Sequence, residues 1–144
     1  MIGCNADIKN NLCMQKHLIS RQTDSLVQIG LAAWIRSGGF ERHLRRIRRV
    51  YEQRYLFMLK ELIEIQKEKN INWQNPNGGM SVWVNLNQDS KKISDLAKKQ
   101  DVLFQYESSM DYLNLKGTHL RIGFAGVTEI QIKEGLQILK ILLK

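Results

Sequence analysis

The apolar period of this sequence changes abruptly near Asn70, and that change limits what the chain can fold into. Before it, Phe40, Leu44, Ile47, Tyr51, Tyr55, Met58, Leu62 and Ile65 recur at steps of three or four, which predicts one long helix over about 40–69. After it, "MSVWVNL" alternates, which assigns Met80, Val82, Val84 and Leu86 to one face of a half-buried strand. "THLRIGF" (118–124) and "DVLFQY" (101–106) give two more strands, and "INW" a short edge strand. "NPNGG" (75–79), with the only proline, is a turn. Upstream, "SLVQIGLAAWIR" predicts a helix over 25–37, capped by Thr23, Asp24 or Ser25 and stopped by Gly38 and Gly39. Its apolar residues cover nearly the whole circumference, so burial is expected.

Three more helices complete the order. Ile8 and Leu12 mark a weakly patterned helix over 7–18. "DSKKISDLAKKQ" starts at Asp89 or Ser90 and turns Ile93, Leu96 and Ala97 inward. A capping box of Thr128 and Gln131 opens the last helix, with Ile132, Leu136, Leu139 and Leu143 inward. The fold class is therefore α/β, a small, mostly antiparallel sheet covered by helices, with the long helix on its N-terminal side.

The chain has 144 residues, enough for one domain with a real core. No apolar run approaches the roughly 20 residues of a membrane span, and the N-terminus has no leader pattern, so no membrane contact and a cytoplasmic location are expected. Cys4 and Cys13 form neither a CxxC pair nor a disulfide framework and are expected to be free thiols. The net charge is +8. Much of the surplus comes from Arg42, Arg45, Arg46, Arg48, Arg49 and Arg54. Such a run grips phosphates or is simply a solvated face. The apolar stripe through Leu44, Ile47 and Tyr51, with Glu41 and Glu52 diluting the charge, favours the solvated face. His43 lies in that run. With His17 and His119 distant in sequence, no metal site is expected.

Arg121 is the candidate with chemistry. In a strand, Leu120, Ile122 and Phe124 point to one side, and His119, Arg121 and Gly123 to the other. The arginine lies opposite the core face, and Gly123 leaves space beside it. A planar guanidinium in a recess suits a carboxylate, which takes two parallel hydrogen bonds. A plain surface arginine fits the same local pattern. Gly78 and Gly79 likewise admit a close backbone approach to a ligand or mark only a tight turn. Neither a P-loop nor a glycine-rich dinucleotide fingerprint is present, and no Ser-His-Asp or Cys-His order stands out.

Several stretches together resemble fold-type I, pyridoxal-phosphate-dependent aminotransferases of class I/II. "SLVQIGLAAWIRSGGFERHLRRIRRVYEQR" is similar to the segment following their catalytic lysine, through Ser25, Gln28, Ala32, Gly38, Phe40, His43, Arg46, Arg48, Tyr51 and Arg54. "NPNGGMSVWVNL" resembles their P-x-G-G strand, and "THLRIGFAGVTEIQIKEGLQIL" their closing L-R-L-x-F segment. The resemblance covers roughly 20–144. "FERHLRRIRR" and "LRIGFAGVTE" look most like the aminotransferase-like domain of MocR-type regulators of the GntR superfamily, and fit aminoadipate and aromatic aminotransferases less closely.

The resemblance carries expectations. Arg121 corresponds to the arginine that binds the substrate's α-carboxylate. Residues 1–39 are the end of the large domain and the connecting helix, and 40–144 are the small domain. The family's Schiff-base lysine sits in S/T-x-x-K, which is absent here, while Gly3 aligns with a downstream glycine and Met1 replaces an arginine. No catalytic residue is therefore assigned. Pyridoxal 5'-phosphate is expected in the full-length protein and not on this chain alone, which is expected to be inactive. The implied partners are an amino-acid or cofactor-adduct ligand, a second copy of the chain, and DNA only through a winged helix outside it. A metabolic aminotransferase and a self-associating interaction domain are the alternatives.

Overall fold

The computed structural model describes residues 5–20, 24–110 and 117–144. Met1, Gly3, Cys4 and the candidate cap Thr23 lie outside them. The chain divides into two compact units, Met1–Arg45 and Arg46–Lys144.

In the first unit, α1 (Ala6–Ser20) and α2 (Ser25–Arg36) precede the start of α3 (Gly39–Gln66). The Asp24 side chain caps α2, accepting from the amides of Leu26 and Val27. Gly38, at φ 73, takes the left-handed conformation just past the helix end. At Gly39 a Cβ would meet the Trp34 indole at 2.2 Å, so only glycine allows the ring to lie there. Trp34 also packs edge-on against Phe40 and at a tilt against His43. The expected burial of α2 is corrected. None of its residues is buried, and Leu26 is 81% exposed. A helix apolar on all sides needs neighbours on several sides, and among the described residues this unit contains only the helices flanking it in sequence.

The second unit holds the core. Its sheet consists of β1 (Asn72–Trp73), β2 (Ser81–Asn85), β3 (Gln105–Tyr106) and β4 (His119–Gly123), in the order β1-β2-β4-β3, with every pairing antiparallel. Val82, Val84, Leu120 and Ile122 point from the two central strands to one side. They pack with Met58, Leu62 and Ile65 of α3, Ile93 of α4 (Ser90–Lys98), and Ile132, Leu136 and Leu139 of α5 (Glu129–Leu142). The Thr128–Gln131 capping box is present in full. Asp89, rather than Ser90, caps α4.

Two strand expectations need correction. Met80 is exposed and lies outside β2, where its carbonyl accepts the Phe124 amide. Residues 101–104 are not strand. Asp101 adopts φ 58, and the Val102 amide bonds back to Ala97, so the chain is still closing α4 there. Two buried serines went unrecognised in the sequence. Ser90 donates to the Gly117 carbonyl and Ser94 to that of Phe104, each at 2.8 Å, tying α4 to the segments beside β4 and β3.

Candidate functional site

The sheet face opposite the core carries Ser81, Trp83, His119, Arg121 and Gly123, because alternate residues of β2 and β4 must point there. Registration across three strands sets Gln105, Arg121 and Trp83 in one row, with Arg121 in the middle. Its guanidinium is tethered on both sides. Nε donates to Ser81 Oγ at 3.0 Å, and Nη1 donates to Gln105 Oε1. At Gly123 an added Cβ would come no closer than 3.9 Å to the Met80 carbonyl, so the space beside Arg121 is open.

His119 is two residues before Arg121 on the same face. Its ring stacks on Trp83, with centroids 5.7 Å apart and planes 16° from parallel. Its Nδ1 lies 3.0 Å from Glu107 Oε2. The same oxygen accepts the amides of Thr118 at 2.9 Å and His119 at 3.2 Å. Glu107 opens a short 3-10 turn, Glu107–Ser109, just after β3. A Cβ on Gly117 would sit 2.5 Å from the Glu107 side chain, so glycine is what lets the carboxylate close over the Thr118 and His119 amides. The His119 hydrogen bond holds the Glu107 carboxyl below the usual carboxylate range; burial opposes it, and the His119 and Thr118 amides add smaller lowering effects.

A lowered folded-state value means the clasp favours folding above the unfolded carboxyl pKa of about 4.3 and loses that contribution as pH falls through the folded value. Wild type should therefore exceed Glu107→Gln in urea midpoint at pH 6, and the gap should narrow as the pH falls below about 4.3. A gap that is constant across this range would show that the carboxylate charge contributes nothing.

The other candidates from the sequence fall elsewhere. His43 packs on Trp34. Arg54 donates to the Ala125 carbonyl, a structural role the sequence did not indicate. Gly78 and Gly79, the latter at φ 102, line a recess of about 290 Å³ with Arg48, Tyr51, Tyr55 and Phe124, and Arg121 does not line it. Cys13 is a free, exposed thiol. Among the described residues no three His, Cys, Asp or Glu side chains come together as a metal site, and no helix is long and apolar enough to cross a membrane. The residues missed in the sequence are Ser81, Gln105 and Glu107. Alternation put Ser81 on the outer face, but nothing local told which strand would bring an acceptor to Arg121.

The arrangement offers a cation, held by neutral groups, on an open face with an aromatic neighbour. The sequence profile of the aminotransferase class I and II family matches residues 1–139. The chain belongs to that family. Its curated relatives include an uncharacterized HTH-type transcriptional regulator, YdeL, of Bacillus subtilis, 29% identical over 78% of this chain and 25% of its own length. Aromatic-amino-acid aminotransferase 1 of Thermococcus litoralis is 28% identical over 85% of this chain and 30% of its own. Among solved structures, Pyrococcus horikoshii kynurenine aminotransferase superposes with a TM-score of 0.82 at 28% identity, over 96% of this chain and 34% of that one. The fold, a small antiparallel sheet covered by helices, is that of the fold-type I aminotransferases. The chain thus spans about a quarter to a third of the length of these relatives.

The family works with pyridoxal phosphate, and the horikoshii structure holds its amine form, PMP. The open face does not fit that group by itself. Among the described residues of the four strands, its side chains are Asn72, Ser81, Trp83, Asn85, Gln105, His119 and Arg121, and none is a primary amine that forms an imine.

Proposed function

We propose that this chain is the amino-acid-recognising small domain of an aminotransferase-like protein, with residues 40–144 as that domain and 1–39 as the end of the large one. Arg121 binds the α-carboxylate of the amino acid or of its cofactor adduct. The observation that carries this reading is the doubly tethered guanidinium beside the open space at Gly123. Ser81 and Gln105 are uncharged, so they fix the cation without neutralising it.

The parent protein in this reading is a MocR/GntR-type transcriptional regulator, supported by YdeL and two further Bacillus subtilis HTH-type regulators, YdfD and YhdI, among the relatives. DNA contact then belongs to a winged helix beyond this chain, and the location is cytoplasmic. A metabolic aminotransferase is the second reading, favoured by the litoralis enzyme and the kynurenine aminotransferase fold. Self-association is part of both, since α2 exposes Leu26, Val27 and Ile29.

Without S/T-x-x-K, the chain alone does not transaminate. Mixed with pyridoxal phosphate, it should give no stoichiometric change in the cofactor's visible absorption. A stoichiometric change that borohydride fixes to one lysine would refute inactivity.

A further inference from the structure

We infer that Ser81 and Gln105 are positioning residues, which aim the Arg121 guanidinium so that a carboxylate meets it end-on, across Nη1 and Nη2. This rests on the carboxylate reading of Arg121 given above. A guanidinium presents five N–H donors, and a carboxylate approaches either side-on, using Nε–H and Nη2, or end-on, using both Nη groups. Nε has a single proton, and it is donated to Ser81 Oγ at 3.0 Å. Side-on binding would have to break that bond. Nη1 gives one proton to Gln105 and keeps another, and among the described residues nothing accepts from Nη2.

The two tethers come from opposite sides. Ser81 is on β2 and Gln105 on β3, while β4, with Arg121, runs between them. One tether would leave the long side chain a pivot, whereas two fix the plane. A free arginine has rotamer entropy to lose on binding, and a chain already fixed loses less. The chemistry of the tethers matters as much. Glu107, two residues beyond Gln105, is a carboxylate that would compete with the ligand. It is instead engaged by the Thr118 and His119 amides and the His119 ring.

The test uses the full chain labelled with nitrogen-15, with the Arg121 side-chain signals assigned by their loss in Arg121→Lys. Sodium propionate is the probe, titrated against sodium chloride at equal ionic strength. Propionate should shift the Arg121 signals in wild type. Ser81→Ala should speed solvent exchange of the Nε–H and weaken propionate binding about three- to tenfold, the loss expected for one hydrogen bond. Ser81→Thr, which keeps the hydroxyl, should restore both. Gln105→Glu keeps an acceptor on Nη1 but adds a charge, so Nε–H exchange should stay slow while the propionate shift disappears. A merely structural role for Gln105 would not separate those two readouts. Propionate binding at wild-type strength in Ser81→Ala and in Gln105→Glu would overturn the proposal. If Ser81 controls Nε–H exchange but wild type shows no propionate shift, the tether stands and the carboxylate reading of Arg121 fails.

Discussion

Leu62→Ala should lower the stability of the chain by about 2–5 kcal/mol, the range for truncating a fully buried leucine. Leu62 is 0% exposed and lies in the core with Met58 and Ile65 of the same helix. Its removal takes away apolar burial and leaves a cavity that backbone held in a sheet and three helices fills only in part. Domains of this size are stable by about 5–15 kcal/mol, so the loss is a large share of the total. Leu56 is the control. It lies on the same helix but is 58% exposed, and Leu56→Ala should stay within about 0.5 kcal/mol of wild type. Urea unfolding of both variants measures the contrast. Equal losses would mean that the buried stripe of α3 is not where the core lies.

That stripe was legible because helix periodicity is a local property. Met58, Leu62 and Ile65 could be assigned to one face from spacing alone, as could Val82 and Val84 from alternation. Met80 broke the pattern because the strand begins one residue later, and alternation carries no mark of its own end. The α2 error has another origin. An all-round apolar surface states what a helix needs, and the chain in hand does not supply it. At the candidate site, Arg121 and Gly123 could be set on the outer face from parity within one strand. Ser81 and Gln105 could not be joined to them. They are 40 and 16 residues from Arg121, and strand order and register, which bring them together, are decided by nonlocal pairing. Glu107 was invisible for the same reason, since its partners lie 11 and 12 residues away in sequence.

Gly123→Val should weaken propionate binding at Arg121 by roughly tenfold or more while leaving the fold as stable as wild type or slightly more so. The two effects have separate causes. Gly123 is in a central strand, and an added Cβ meets only the Met80 carbonyl, at an ordinary 3.9 Å. Valine suits a strand better than glycine does, by up to about 1 kcal/mol. The cost therefore falls on the ligand. Arg121 and residue 123 share a face, so the valine methyl groups occupy the space a carboxylate needs to reach the guanidinium. Steric exclusion of this kind should weaken binding by roughly tenfold or more, or about 1.4 kcal/mol upward. Gly126→Ala, with nothing within 4 Å of an added Cβ, should leave propionate binding unchanged. Melting temperature and the Arg121 side-chain signals are read from the same samples. A Gly123→Val chain that melts at or above the wild-type temperature and still binds propionate at full strength would show that the open space beside Arg121 is not where the carboxylate docks.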